Sequence, residues 1–214
     1  LSTLIVVQCE KTIEFLRDIY EVPENKIQLI YHHAPDVPFI DPYLYKEKFN
    51  AENRTVLLTF GLLSPNKGIE SVLEALPEVV KKFPDILYII LGKTHPEVAK
   101  KEGERYRFSL QQKVRKLGLE NNVLFHDYFV TDEEIVKFLT AVDIFITPYL
   151  SEEQIVSGTL TYAIACGKAI ISTPYYYAKE MLADGRGYLV PFNDPKAIAD
   201  ALIDFLSNSN KINE

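Results

Sequence analysis

From residue 55 onward, short apolar runs rich in β-branched residues alternate with stretches of helical pattern. Strands that are apolar on both faces and separated by helix-length segments are typical of a parallel sheet covered by helices on both sides. The sequence therefore predicts a Rossmann-like, doubly wound α/β domain over residues 55–214. Its predicted strands cover 55–60, 87–91, 123–125, 144–147, 169–172 and 187–190, and its predicted helices cover 67–82, 106–117, 132–141, 158–166, 177–182 and 195–206.

Residues 1–33 show a separate strand–helix–strand pattern, with strands at 4–8 and 26–31 and a helix at 11–20. One such unit cannot bury its own faces, so we expect it to end a preceding domain or to pack against the edge of this one. Residues 34–54 resemble a linker, because Pro35, Pro38 and Pro42 resist both helix and sheet. The only methionine is Met181, which suggests a processed product or a fragment.

Composition excludes several classes of function. With 47% hydrophobic and 25% charged residues, the chain is expected to be globular. A formal net charge of -7 argues against nucleic-acid binding, which depends on basic contacts with phosphates. Cys9 and Cys166 lack metal-ligand or redox-motif spacing, which favours a reduced, cytoplasmic compartment. No apolar run is long enough to span a bilayer, so this segment supports no membrane contact.

The segment 157–174 has the features of an anion site. It predicts a helix that opens on Ser157 and Gly158, ends at Gly167 and leads into a strand. Gly158 allows close approach of a ligand to the backbone, and the first free amides of the helix lie at the positive end of its dipole. The hydroxyls of Ser157 and Thr159 flank these amides, which favours binding of a phosphate. An ordinary buried helix with a serine cap and a glycine stop explains the same residues equally well.

The first strand of the domain leads through Gly61 and a loop to a predicted helix whose first turn carries Lys67. A cation is disfavoured there by the helix dipole, so this local misfit suggests a role such as reaching a diphosphate. A surface lysine is the alternative. His32 and His33 are adjacent at a predicted strand or its end, so their side chains should point to opposite faces, and we predict no metal site.

Three ordered motifs, at residues 61–75, 157–174 and 182–195, resemble the carboxyl-terminal domain of glycosyltransferase family 4. Enzymes of that family have the two-domain GT-B architecture, use nucleotide-sugar donors and retain the anomeric configuration. The resemblance runs from about residue 4 to residue 206. It implies that residues 1–33 end the amino-terminal, acceptor-binding domain, that residues 34–40 form the hinge, and that residues 55–214 form the donor-binding domain.

The resemblance also implies roles for individual residues. The family's two glutamates, which contact the transferred hexose and the ribose, fall on Gln154 and Tyr162, and its phosphate-binding arginine falls on Leu62. Glu180 loosely matches a glutamate that faces the donor. The candidate catalytic residues are Lys67 and Gln154, and the candidate donor-binding residues are Gly61, Lys67, Ser157, Gly158, Thr159, Leu160, Tyr162 and Glu180.

These matches predict transfer of a hexose, with retention, from a nucleoside diphosphate sugar to an acceptor hydroxyl. We expect no cofactor and no divalent metal, and we expect a glycan or lipid-linked acceptor to bind through the domain that this chain lacks. The chain alone should bind the donor weakly and transfer nothing. A catalytically silent nucleotide-binding relative is one alternative, motivated by Leu62, Gln154 and Tyr162. A flavodoxin-like interaction domain without sugar chemistry is the other.

Overall fold

The computed structural model describes residues 3–34, 36–37 and 42–208. Within them, the strands are β1 (Ile5–Val7), β2 (Ile27–Leu29), β3 (Thr55–Phe60), β4 (Ile86–Leu91), β5 (Val123–His126), β6 (Ile144–Thr147), β7 (Ala169–Ser172) and β8 (Tyr188–Leu189). The helices are α1 (Glu10–Asp18), α2 (Tyr43–Lys46), α3 (Ile69–Lys82), α4 (Pro96–Glu102), α5 (Arg105–Lys116), α6 (Asp132–Ala141), α7 (Gly158–Ala165), α8 (Tyr176–Met181) and α9 (Pro195–Ser207).

Strands β3 to β8 form one parallel sheet in the order β5-β4-β3-β6-β7-β8. This confirms the predicted α/β fold, because it is the strand order of a doubly wound, Rossmann-like sheet. All positions of β4 are buried, as expected for a strand covered by helices on both faces. One core lies between the sheet and helices α3, α5 and α9, and a second lies between the opposite face and helices α6, α7 and α8.

The amino-terminal unit stands apart from this sheet. Strands β1 and β2 pair in parallel, with Ile5 opposite Ile27, and form a separate two-stranded sheet. Helix α1 lies against α8, where the rings of Phe15 and Tyr176 meet edge to face at a centroid distance of 5.7 Å. The assignment of residues 1–33 to a preceding domain stays a prediction.

The second half of the predicted 34–54 linker contains a short helix, and the assignment of the segment as a linker stays a prediction. Helix α2 begins after Pro42, where a proline is tolerated because the first amides of a helix lack intrahelical acceptors. This helix packs on α6, and Lys46 Nζ donates to both carboxylate oxygens of Asp143, at 2.9 and 2.6 Å. Pro35 and Pro38, on which the linker prediction depended, lie outside the described residues.

The sheet reverses its direction of winding between β3 and β6. Ligands of open α/β sheets bind at such a switch point, in the crevice beyond the carboxyl ends of the strands. Two loops border this crevice: residues 61–68 follow β3, and residues 148–157 follow β6. They touch through their backbones, since Leu150 N donates to Asn66 O at 3.0 Å.

Candidate functional site

Lys67 reaches into the switch-point crevice from the loop after β3. Its Nζ donates to the hydroxyl of Tyr149 at 2.8 Å and lies 4.0 Å from the centroid of the Tyr149 ring. The predicted start of the helix at Lys67 is wrong: Pro65–Lys67 is a 3-10 turn, and Gly68, at φ 63°, separates it from α3. The helix-dipole argument for Lys67 therefore fails, and its role at a diphosphate stays a prediction.

A series of hydroxyl groups connects Lys67 to the amino end of α7. Tyr149 OH lies 2.9 Å from Thr159 Oγ1, which in turn lies 3.1 Å from Ser157 Oγ. Gly61 borders the same space, because a Cβ atom there would lie 3.4 Å from Thr159 Cγ2 and 3.7 Å from Lys67 Nζ. Residues from the loops after β3 and β6 thus meet across the crevice. Tyr149 was absent from the residues singled out in the sequence.

The amino end of α7 differs in one respect from the prediction. Ser157 caps the helix as expected, but its hydroxyl accepts from the amide of Leu160 at 3.3 Å. The backbone amide of Leu160 is therefore already paired, and the side chain of Leu160 is fully buried. The amides of Gly158 and Thr159, which have no intrahelical acceptor, are the ones that helix geometry leaves for a ligand.

His32 adjoins this helix end. A Cβ atom on Gly158 would lie 3.3 Å from His32 Nε2 and 3.5 Å from His32 Cε1, with no atom of the sheet within 4 Å. Tight packing of helix on sheet therefore does not explain Gly158. The expectation that His32 and His33 point to opposite faces is wrong: their rings stack, with centroids 5.6 Å apart. Both residues follow the end of β2, so strand alternation does not apply.

Gln154 and Tyr162 are held by neighbouring protein groups. Gln154 Nε2 donates to Val156 O at 2.6 Å, which fixes the amide within its own loop. The Tyr162 hydroxyl faces Asp132 at the start of α6, and its pKa is raised mainly by burial and further by that carboxylate. The structure therefore does not bring Tyr162 to the hydroxyl series.

Glu180 is engaged by the start of α1, and its role in the donor site stays a prediction. Its Oε2 accepts from Cys9 Sγ at 3.0 Å and from Glu10 N at 2.8 Å, so the carboxylate caps α1. Burial, followed by the hydrogen bond to Glu180, raises the pKa of the Cys9 thiol to about 12. The sequence match concerns only the position of Glu180 along the chain. The direction of its side chain depends on the packing of α8 against α1, which the sequence does not reveal.

Across residues 3–34, 36–37 and 42–208, no group of three or more His, Cys, Asp or Glu side chains could hold a metal ion. None of the described helices combines the length and apolar character needed to cross a bilayer.

The fold and the crevice define a Rossmann-like domain with hydrogen-bond donors gathered at its switch point. Residues 44–214 match the family model of glycosyl transferases group 1, and the chain belongs to that family. A phosphatidyl-myo-inositol mannosyltransferase of Mycolicibacterium smegmatis is 30% identical over 175 residues, covering 81% of this chain and 40% of the relative. This chain thus spans about two-fifths of the length of these curated mannosyltransferase relatives.

Solved structures share the fold. Anabaena Alr3699/HepE in complex with UDP superposes with a TM-score of 0.83 at 19% identity, over 99% of this chain and 56% of that one. The carboxyl-terminal domain of a glycosyl transferase group 1 family protein (LpcC) from Francisella tularensis superposes with a TM-score of 0.69 at 24% identity, over 83% of this chain and 88% of that one. These likenesses confirm the α/β architecture of GT-B glycosyltransferases.

Proposed function

We propose that this chain is the donor-binding part of a retaining glycosyltransferase of family 4. The protein that contains it would transfer a hexose from a nucleoside diphosphate sugar to the hydroxyl of a glycan or lipid-linked acceptor. One observation carries the proposal: Lys67 Nζ, the hydroxyls of Tyr149 and Thr159, and the amino end of α7 converge at the switch point. The family model and the fold of UDP-bound relatives support it.

These groups suit departure of a diphosphate. Negative charge grows on the diphosphate oxygens as the bond to the sugar breaks, and fixed donors aimed at that charge lower the barrier. Lys67 supplies a full positive charge, and the amides of Gly158 and Thr159 add the partial positive charge of the helix end. Because the hydroxyls can each donate one hydrogen bond, they orient the diphosphate without adding net charge.

Calorimetric titration of the 214-residue chain tests the donor site. UDP, GDP, UDP-glucose and GDP-mannose serve as probes, with uridine as the control that lacks phosphate. We expect binding of at least one nucleoside diphosphate and none of uridine alone, since the phosphates supply most of the contacts. Absence of binding by every phosphate-containing probe would remove the proposal and would favour an interaction domain. Equal binding in EDTA and in magnesium tests the proposed independence from metal.

A catalytically silent relative is the second candidate. Two observations favour it. Gln154 and Tyr162 occupy positions where the resemblance expects glutamates, and neither side chain carries a carboxylate. Both side chains also face protein groups, Gln154 the carbonyl of Val156 and Tyr162 the carboxylate of Asp132. The test is release of nucleoside diphosphate by the full-length protein that contains this chain. Donor binding without transfer to any glycan or lipid-linked acceptor, and without donor hydrolysis, would support the silent relative.

A further inference from the structure

We propose that His32 binds the diphosphate of the donor as an imidazolium. Its positive charge would take the place of the phosphate-binding arginine that the resemblance expects at position 62, where this chain has Leu62. This inference rests on the proposed donor site. It adds a ligand contact from the segment that precedes the Rossmann-like domain, at a residue that lies more than a hundred positions before α7 in sequence.

The position of the ring carries the first step. Apart from the residues next to Gly158 and the backbone of α7, His32 Nε2 and Cε1 are the described atoms that lie within 4 Å of the place that a Gly158 Cβ would take. Gly158 opens α7, and the ring therefore stands beside the amides that the helix leaves unpaired. A phosphate oxygen bound to these amides would meet the imidazole edge from the other side.

The protonation of the ring follows from its anchor. His32 Nδ1 lies 2.7 Å from the backbone oxygen of His33, and because a carbonyl only accepts, Nδ1 carries a proton. In the neutral ring, Nε2 is then an acceptor and would repel a phosphate oxygen. Nε2 is not hydrogen-bonded to any of the described residues, so a proton taken up there is free to point at the ligand.

The surrounding charges favour an anion as the partner. The ring of His33 stacks on one side, and the first turn of α7 carries no acidic side chain. Lys67, a cation of the same crevice, is joined through Tyr149 to Thr159 of the same turn. None of the salt bridges found among the described residues involves His32. The Glu180 carboxylate of α8 lies close enough to the neighbouring Tyr31 to help raise the pKa of its hydroxyl, and it would also favour an imidazolium at His32. Because Glu180 is present with and without the donor, only the bound diphosphate accounts for a proton that is taken up on binding.

The experiment is calorimetry with UDP-glucose and GDP-mannose at pH 7.5, in buffers of different ionisation enthalpy. The diphosphate of a nucleotide sugar does not titrate near this pH, so a proton taken up on binding goes to the protein. For the wild-type chain we expect net uptake of a fraction of a proton. For His32→Asn, whose amide can still donate to the His33 carbonyl, we expect loss of that uptake and about ten- to a hundredfold weaker binding.

His33→Ala is the matched control, because it keeps the backbone carbonyl that anchors His32 and should bind with unchanged affinity and proton uptake. Melting curves of both variants verify folding. Wild-type affinity or wild-type proton uptake in His32→Asn would overturn this inference and leave the proposed donor site standing. Absence of binding by the wild-type chain itself would overturn both.

Discussion

Replacing Lys67 by alanine separates the role of this cation from the integrity of the fold. The substitution removes an ammonium that donates to Tyr149 OH at 2.8 Å, while that hydroxyl keeps Thr159 as a partner at 2.9 Å. The fold should therefore lose one hydrogen bond and a cation-π contact between a half-buried lysine and a buried tyrosine, together worth about 1–3 kcal/mol. Loss of a charged hydrogen bond to a diphosphate costs about 1.5–3 kcal/mol, or about ten- to 150-fold in Kd.

Isothermal titration with whichever nucleoside diphosphate the wild-type chain binds gives the answer. Lys82→Ala is the control, since Lys82 is exposed at the far end of α3 and should leave Kd unchanged. Leu62 provides no second cation on the same loop, so compensation from that position is not available. An unchanged Kd in Lys67→Ala would refute the phosphate role and make Lys67 a surface lysine that happens to stack on Tyr149.

Three further substitutions test the scaffold of the site. Gly68→Ala should destabilise the chain by about 2–4 kcal/mol in urea unfolding, because Gly68 has φ 63° and its Cβ would lie 1.9 Å from Pro148 O; near-wild-type stability would contradict the contact between the two loops. Asp143→Ala should cost about 2–4 kcal/mol, because Lys46 Nζ and Val56 N both lose their carboxylate acceptor. The control Glu133→Ala breaks only an exposed pair with Lys137 and should cost under about 0.5 kcal/mol, and equal losses in the two variants would show that α2 is not anchored as described. Gly158→Val should abolish nucleotide binding yet lower the free energy of unfolding by about 1 kcal/mol at most. The reason is that the new side chain meets His32 and not the sheet. A destabilised variant that binds nucleotide normally when folded would exclude the phosphate site.

The sheet was predictable because its strands carry their own signal. β4 is apolar and buried throughout, and such a run fits a strand covered on both faces. Helix α4 escaped prediction, although its boundaries are marked in the sequence: Pro96 occupies its first position and Gly103 follows its last. Its cap could not be foreseen, because the ring of His95 accepts from Glu97 N through Nδ1, a role more typical of serine or aspartate.

The site was predictable only in part, for a different reason. Ser157 and Thr159 are neighbours on one helix end, so local pattern sufficed to group them. Tyr149 and His32 lie in other segments of the chain, which the fold brings to the amino end of α7. No local sequence pattern distinguishes these two residues. The same limit explains Glu180, whose position near a strand end fitted the resemblance while its carboxylate faces α1.

The pairing of Lys67 with Tyr149 has an energetic consequence for the proposed donor site. An ammonium can only donate, so Tyr149 accepts from Lys67, whereas either hydroxyl can donate in the bond between Tyr149 and Thr159. A diphosphate that takes Lys67 as its donor would remove one hydrogen bond accepted by Tyr149, but the Tyr149 hydroxyl would keep its hydrogen bond with Thr159. No buried donor is left unpaired by the exchange, and Lys67 already points into the crevice. Binding energy therefore need not be spent on ordering the lysine, which is how preorganisation raises affinity.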